Sequence, residues 1–257
     1  MCSPLYLFGM NEVNSFQSPH GRTLAYVQSK GAGPGVVFLG GFRSDMTGTK
    51  AVHLEAWAKA RDRAFLRFDY SGHGQSGGRF DEGTIGQWAE DAADIITTLT
   101  DGPQILVGSS MGGWISLLMA KRHAVKVAGM VTIAAAPDFT ETMRQTMSPL
   151  LAAGLKARGR VQMPSEYGEP YTITRRFLDE GKDNLILPDG LALTIPARFL
   201  QGTADVDVPV TTAMTLIERV TGPDIRLTLV KGADHRFSTP ECLDLITETI
   251  DAVLRRV

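Results

Sequence analysis

Gly108-Ser109-Ser110-Met111-Gly112 sets a serine between two glycines, each two residues away, and of its two serines Ser110, not Ser109, satisfies that frame. The run Gln104-Ile105-Leu106-Val107 before it reads as a short buried strand. The run Trp114-Ile115-Ser116-Leu117-Leu118-Met119-Ala120 after it, without Gly or Pro, reads as a helix. A G-x-S-x-G frame between strand and helix is a nucleophile elbow, a strained turn that pushes the serine hydroxyl out of the sheet. Gly108 and Gly112 suit it because a Cβ at either place would meet neighbouring backbone. The chemistry on offer is nucleophilic attack on a carbonyl, once a base takes the serine proton and a carboxylate orients that base. By itself the frame also describes a close-packed glycine turn, so partners must corroborate it.

In an elbow fold the chain order is serine, then acid, then histidine, the last two on loops that follow strands. His235 meets that requirement. It follows the strand expected over 225–230, on the loop Lys231-Gly232-Ala233-Asp234, just before the last helix. His20 falls in an early hairpin turn, His53 and His123 on helices, and His73 in a Gly-rich turn, where it reads as a loop-stabilising residue. The acid should follow Phe199-Leu200, where Gln201-Gly202-Thr203-Ala204-Asp205-Val206-Asp207 offers two aspartates. Asp205, nearer the strand end, is the expected acid and Asp207 the alternative; Asp234 reads as a solvent-facing turn residue. A tetrahedral intermediate needs backbone N–H donors aimed at its oxyanion. Met111, after the nucleophile, is one candidate. Phe42, after the glycines of Leu39-Gly40-Gly41, is the other.

These loops need a scaffold, and the hydrophobic pattern describes one. Two short strands are expected over 13–28 around Ser18-Pro19-His20-Gly21. Val36-Val37-Phe38-Leu39 is a strand buried on both faces. A helix over 51–60 and the strand Ala64-Phe65-Leu66-Arg67-Phe68 follow. Residues 84–99 read as a helix with a Thr84/Gln87 capping box and a stripe of Trp88, Ala92, Ile95 and Leu99. A buried strand is expected over 127–136. The alternation pauses over 137–193, a Met- and Leu-rich stretch with Pro149, Pro164 and Pro170, which reads as a small, largely helical cap. Its Met143, Met147, Leu151 and Leu155 are expected either to wall a pocket or to pack the cap onto the core. The strand Ala197-Arg198-Phe199-Leu200, a helix over 210–220 and a last helix after Thr239-Pro240 complete the pattern. Strand alternating with helix implies an α/β domain: one mostly parallel central sheet flanked by helices, spanning 1–257.

Composition narrows the function classes. The apolar share of 43% fills one large core, and a net charge of −2 gives no electrostatic case for nucleic acid or anionic membrane. Cys2 and Cys242 make no disulfide framework and no Cys/His metal spacing occurs, which suits a reducing compartment without a bound metal. The first ten residues lack a basic n-region, and no apolar run approaches the ~18 residues of a spanning helix. The expectation is a cytoplasmic protein, not embedded in membrane, with no information on oligomeric state.

Taken together these residues resemble the α/β-hydrolase superfamily over essentially the whole chain. The runs Gly48-Thr49-Lys50-Ala51, Arg67-Phe68-Asp69-Tyr70-Ser71-Gly72, Asp101-Gly102-Pro103-Gln104-Ile105-Leu106-Val107-Gly108-Ser109-Ser110 and Met163-Pro164-Ser165 look like a particular branch of it. That branch is the mitochondrial acyl-protein thioesterase and mycophenolic acid acyl-glucuronide esterase family, in a bacterial-type form. The resemblance implies hydrolysis of small-molecule acyl thioesters and carboxyl esters by a Ser110–His235–Asp205 triad, without a cofactor. One departure is Gly40, where many superfamily members carry His before the oxyanion-loop glycine. A mitochondrial transit sequence is another feature this chain is read as lacking. Competing readings on the same scaffold are a C–C bond hydrolase, a haloperoxidase-like enzyme, and a ligand-binding protein without turnover.

Overall fold

A computed structural model describes residues 12–164 and 169–257. Cys2, the first ten residues and Ser165, used in the sequence reading, lie outside the described residues. The chain lays down β1 (Asn14–Gln17), β2 (Thr23–Ser29), β3 (Ala32–Leu39), β4 (Arg63–Phe68), β5 (Gln104–Ser109) and β6 (Val127–Ile133). Beyond these come the hairpin β7 (Arg160–Met163) and β8 (Tyr171–Thr174), then β9 (Leu191–Ala192), β10 (Ala197–Gly202), β11 (Val220–Thr221) and β12 (Ile225–Val230). Eight of them form one sheet in the order β1-β2-β4-β3-β5-β6-β10-β12. The β1–β2 and β2–β4 pairs are antiparallel; every later pair is parallel. This is the α/β-hydrolase architecture.

Alternation along the central strands explains why both faces are covered. Val37, Leu39, Leu106, Met130 and Phe199 face one side, where Trp88 of α2 (Ile85–Leu99) and Trp114 of α3 (Met111–Arg122) complete a core cluster. Val36, Phe38, Ile105, Val107, Val131 and Leu200 face the other, against α1 (Thr49–Lys59) and α8 (Pro240–Leu254), which bring Leu54, Trp57, Ile246 and Ile250. Side chains of a strand point alternately to opposite faces, so a strand covered on both sides must be apolar throughout.

Local chemistry sets the helix ends. Thr239 Oγ1 accepts from Cys242 N–H at 3.3 Å with Pro240 in the first turn, as the sequence indicated. Thr84 Oγ1 accepts from Gln87 N–H at 3.3 Å, but the Gln87 side chain donates to Ser71 Oγ at 3.0 Å instead of reaching back to Thr84. Only half of the capping box forms, because Ser71 offers the amide a better-placed acceptor. The strand expected over 127–136 stops at Ile133: Ala134 turns to φ 48°, and Ala134–136 leave the sheet although they stay buried.

The inserted segment is less helical than expected. It holds α4 (Phe139–Thr146), α5 (Pro149–Arg158) and α6 (Arg175–Gly181), but also the antiparallel β7–β8 hairpin. Each hairpin strand has four residues and buries one side chain, Val161 or Ile173, too little for a period-two signal. Pro149 does not break a helix; it starts α5 at the first turn, after Ser148, whose hydroxyl accepts from Leu151 N–H. The last helix of the chain's middle region, α7 (Val210–Arg219), follows β10. Among the described residues no helix is long and apolar enough to cross a membrane.

Candidate active site

The elbow after β5 is built by exclusion of side chains. Ser110 sits at φ 55°, ψ −117°, a conformation that costs a non-glycine residue roughly 1–3 kcal/mol and persists only where the surroundings enforce it. Here they do. Ser110 N–H donates to Ile133 O at 2.9 Å, and Ser110 O accepts from Gly113 N–H at 2.9 Å and Ala136 N–H at 3.1 Å. A Cβ on Gly112 would lie 2.0 Å from Leu39 O, and one on Gly108 2.2 Å from Gly112 O. The two glycines of the sequence frame are therefore close-approach positions, as that frame required.

Three loops at the C-terminal ends of parallel strands bring the predicted partners together. Ser110 Oγ lies 3.2 Å from His235 Nε2, and His235 Nδ1 lies 2.9 Å from Asp205 Oδ2. Asp205 follows β10 and its side chain is fully buried, whereas that of His235, after β12, keeps 19% exposure. Asp205 Oδ1 accepts from Asp207 N–H at 3.0 Å and Val208 N–H at 2.8 Å. Burial pushes the Asp205 carboxyl up. Hydrogen bonds from His235, Val208 and Gln201, with the His235 charge, outweigh it and hold the group below the ordinary aspartate value. Asp207 is exposed and meets Asp205 through its backbone. Asp205, Asp207 and His235 offer ligand atoms within 4.8 Å of one another. Within this trio the Asp205 carboxylate and His235 Nδ1 are already hydrogen-bonded to each other.

Phe42 and Met111, the predicted oxyanion donors, lie on the loop after β3 and at the first residue of α3. Ser44 N–H and Oγ both turn back onto Gly41 O, at 3.2 and 2.8 Å. Among the described residues Phe42 N–H has no internal acceptor. His73 anchors this loop, as its place in a Gly-rich turn suggested: its Nε2 accepts from Arg43 N–H at 3.2 Å. Burial pushes His73 down to about 4, against the pull of its bond to Ser71 O. It is a buried strut, bonded through both ring nitrogens to the backbone. Asp69 adds a second anchor by accepting from Met46 N–H at 2.6 Å.

A cavity of about 550 Å³ opens over Ser110 and His235. Its walls come from the Phe42–Arg43 loop, from Lys50 in α1, and from Phe139, Met143 and Tyr171 of the inserted segment. Of the four inserted apolar residues singled out in the sequence, only Met143 reaches it. Met147 and Leu151 pack half-buried on the core cluster and Leu155 is buried within it. The helix geometry gives the reason: α4 presents Phe139 and Met143, four residues apart, on one face, and ends before Met147.

Sequence reasoning missed Tyr171, Arg43 and Lys50. Tyr171 comes from the unforeseen hairpin, and the Arg43 guanidinium stacks 4.8 Å above its ring. Lys50 donates to Arg236 O at 2.5 Å, and burial pushes its ammonium down to about 8, an effect the Asp234 charge opposes. Only its run, Gly48-Thr49-Lys50-Ala51, had marked it.

Comparison with known proteins bears on the family and the fold. Residues 35–176 match the family model described as serine aminopeptidase, S33. Human palmitoyl-protein thioesterase ABHD10, mitochondrial, is 37% identical over 236 residues, 91% of this chain and 77% of that protein. Among solved structures, a putative hydrolase from Agrobacterium vitis S4 superposes with a TM-score of 0.90 at 39% identity, covering 94% of this chain and 98% of that one. Mouse alpha/beta hydrolase domain-containing protein 10 superposes with a TM-score of 0.89 at 34% identity, covering 95% and 99%. A fold of this topology, an elbow of this geometry and these relatives lead to one conclusion: the chain belongs to the serine aminopeptidase S33 family of α/β-hydrolases and is similar over most of its length to the ABHD10 proteins.

Proposed function

We propose that this protein is a serine hydrolase that cleaves acyl thioesters and carboxyl esters through an acyl-enzyme intermediate. The observation that carries the reading is the hydrogen-bonded line Ser110 Oγ–His235 Nε2, His235 Nδ1–Asp205 Oδ2 in a cavity whose walls mix apolar side chains such as Phe42, Phe139 and Met143 with charged ones such as Arg43 and Lys50. The palmitoyl-protein thioesterase names of the relatives support the thioester over other acyl donors. In the acylation step His235 takes the Ser110 proton as Oγ attacks the carbonyl carbon. The oxyanion is received by the N–H groups of Phe42 and Met111, and collapse expels a thiolate or alkoxide that takes the proton from His235. Water, deprotonated by the same histidine, then attacks the acyl-enzyme and returns Ser110. Each step uses side chains and backbone of this chain, so no cofactor enters the scheme.

In this reading 137–193 caps a single domain, and Phe139, Met143 and Tyr171 receive the acyl chain. The buried, free Cys242 thiol suits a reducing compartment such as the cytoplasm. The test is release of thiol from acyl-CoA thioesters and of p-nitrophenol from the matching esters, with acyl chains from acetyl to palmitoyl. Turnover of both series, with a burst equal to the enzyme concentration on the faster one, is expected. Hydrolysis of neither series above background would overturn the assignment.

A further inference from the structure

We infer that Gln201 is a positioning residue for Asp205, holding the relay's carboxylate in register and tempering its pull on His235. Gln201 sits in β10 and is 1% exposed. Its Nε2 is surrounded only by acceptors: Asp205 Oδ2 at 3.0 Å, Val208 O at 2.9 Å and Gly202 O at 3.3 Å. That set fixes which end of the amide is nitrogen. The other end, Oε1, is buried without a hydrogen-bond partner, a cost the site tolerates so that the donor faces inward.

Two consequences follow from this arrangement. Asp205 Oδ1 already accepts from Asp207 and Val208 N–H, so the Gln201 amide, bonded to Oδ2 and to Val208 O, closes the turn 205–208 from its other side. The carboxylate then has no freedom to rotate away from His235 Nδ1. The same N–H shares Oδ2 with His235. A donor on that oxygen draws off part of the negative charge that Asp205 presents to the His235 ring.

The inference rests on the Ser110–His235–Asp205 reading, and the experiment separates the two. Q201M keeps the volume and removes the donor. It is expected to lower kcat about tenfold with KM changed less than twofold. It should also move the acid limb of the kcat/KM pH profile to higher pH by about half a unit, since His235 must lose its proton to act. A slowed variant with an unmoved limb would make Gln201 merely structural and overturn the inference; so would an unchanged kcat. D205N is run beside it: if D205N is as fast as the parent, the relay reading itself fails. If D205N is slow and Q201M is not, only the role of Gln201 fails. Should Q201M not fold, Q201E of equal size puts the same question, because its carboxylate would face three acceptor oxygens once ionised. Activity that falls on the alkaline side where the parent is level supports the inference, and a level alkaline profile overturns it.

Discussion

The elbow and the inserted segment meet at the same cavity and are built on opposite plans. All six residues of β5 and the first ten of α3 are buried, and at Gly108, Gly112 and Gly113 a Cβ would collide with backbone or a neighbouring side chain. In the insert, α4 buries only Thr140 and α5 only Gly154 and Leu155. One weld to the body is aromatic: the Phe42 ring touches Phe139, Tyr171 and Phe177 with centroids 5.4, 5.7 and 5.5 Å away. The difference teaches that the reacting serine is fixed by the sheet core, where one atom of excess volume is felt. The cavity wall that Phe139, Met143 and Tyr171 supply rests instead on the inserted segment.

The largest effect should come from the rigid side. Ser110→Ala removes the covalent route and should lower kcat by at least ~10³-fold with the melting temperature kept; near-full esterase activity of the purified variant would contradict the account. Next is the acid. Asp205→Asn should cost ~10²–10⁴-fold in kcat by disturbing the orientation of His235, whereas Asp207→Asn should cost far less, because Asp207 serves Asp205 through its backbone N–H. The reverse ranking in steady-state assays would move the acid to Asp207.

A smaller effect concerns stability of the oxyanion loop. His73 titrates at 6.5 in its ordinary state and is pushed to about 4 in the fold. Below pH 6.5 the unfolded chain takes up a proton that the folded one refuses, so stability is complete above that pH and is lost as pH falls toward 4. The loss is of order 3 kcal/mol. Urea unfolding of His73→Gln across this window should show a fall shallower by about that amount than in the parent, and identical slopes would contradict the strut role. The smallest effect lies on the compliant side. Met143→Trp should shift preference toward shorter acyl chains, each excluded methylene being worth roughly 0.8 kcal/mol, with little loss on acetyl esters. Met147→Trp should alter stability and leave the chain-length profile unchanged, since Met147 packs on the core. Equal losses on short and long chains for Met143→Trp would mean that the insert was only destabilised.

The same contrast governs how much could be read from the sequence. Continuous apolar strands, the G-x-S-x-G frame and the order serine, acid, histidine are dictated by burial and backbone geometry, so Ser110, Asp205 and His235 were legible and do converge. Choosing Asp205 over Asp207 rested on distance from the strand end, and the buried bond to His235 agrees with it. The insert was illegible where its elements are short and half exposed. Tyr171 lies on a four-residue strand too short to show a period, and the partner of Gln87 was beyond reach because Ser71 is distant in sequence. Gln201 lay within the quoted acid loop, but nothing in its residue type marks a buried amide as a donor to a carboxylate.

In the proposed reaction one serine, made reactive by the His235–Asp205 pair, carries turnover. A fluorophosphonate probe followed by peptide mapping tests it most directly. A single phosphonyl adduct is expected, on the peptide that contains Ser110. Hydrolysis should fall in proportion to labelling, and both should vanish in Ser110→Ala. An adduct on another serine, or hydrolysis that persists after Ser110 is fully labelled, would contradict it.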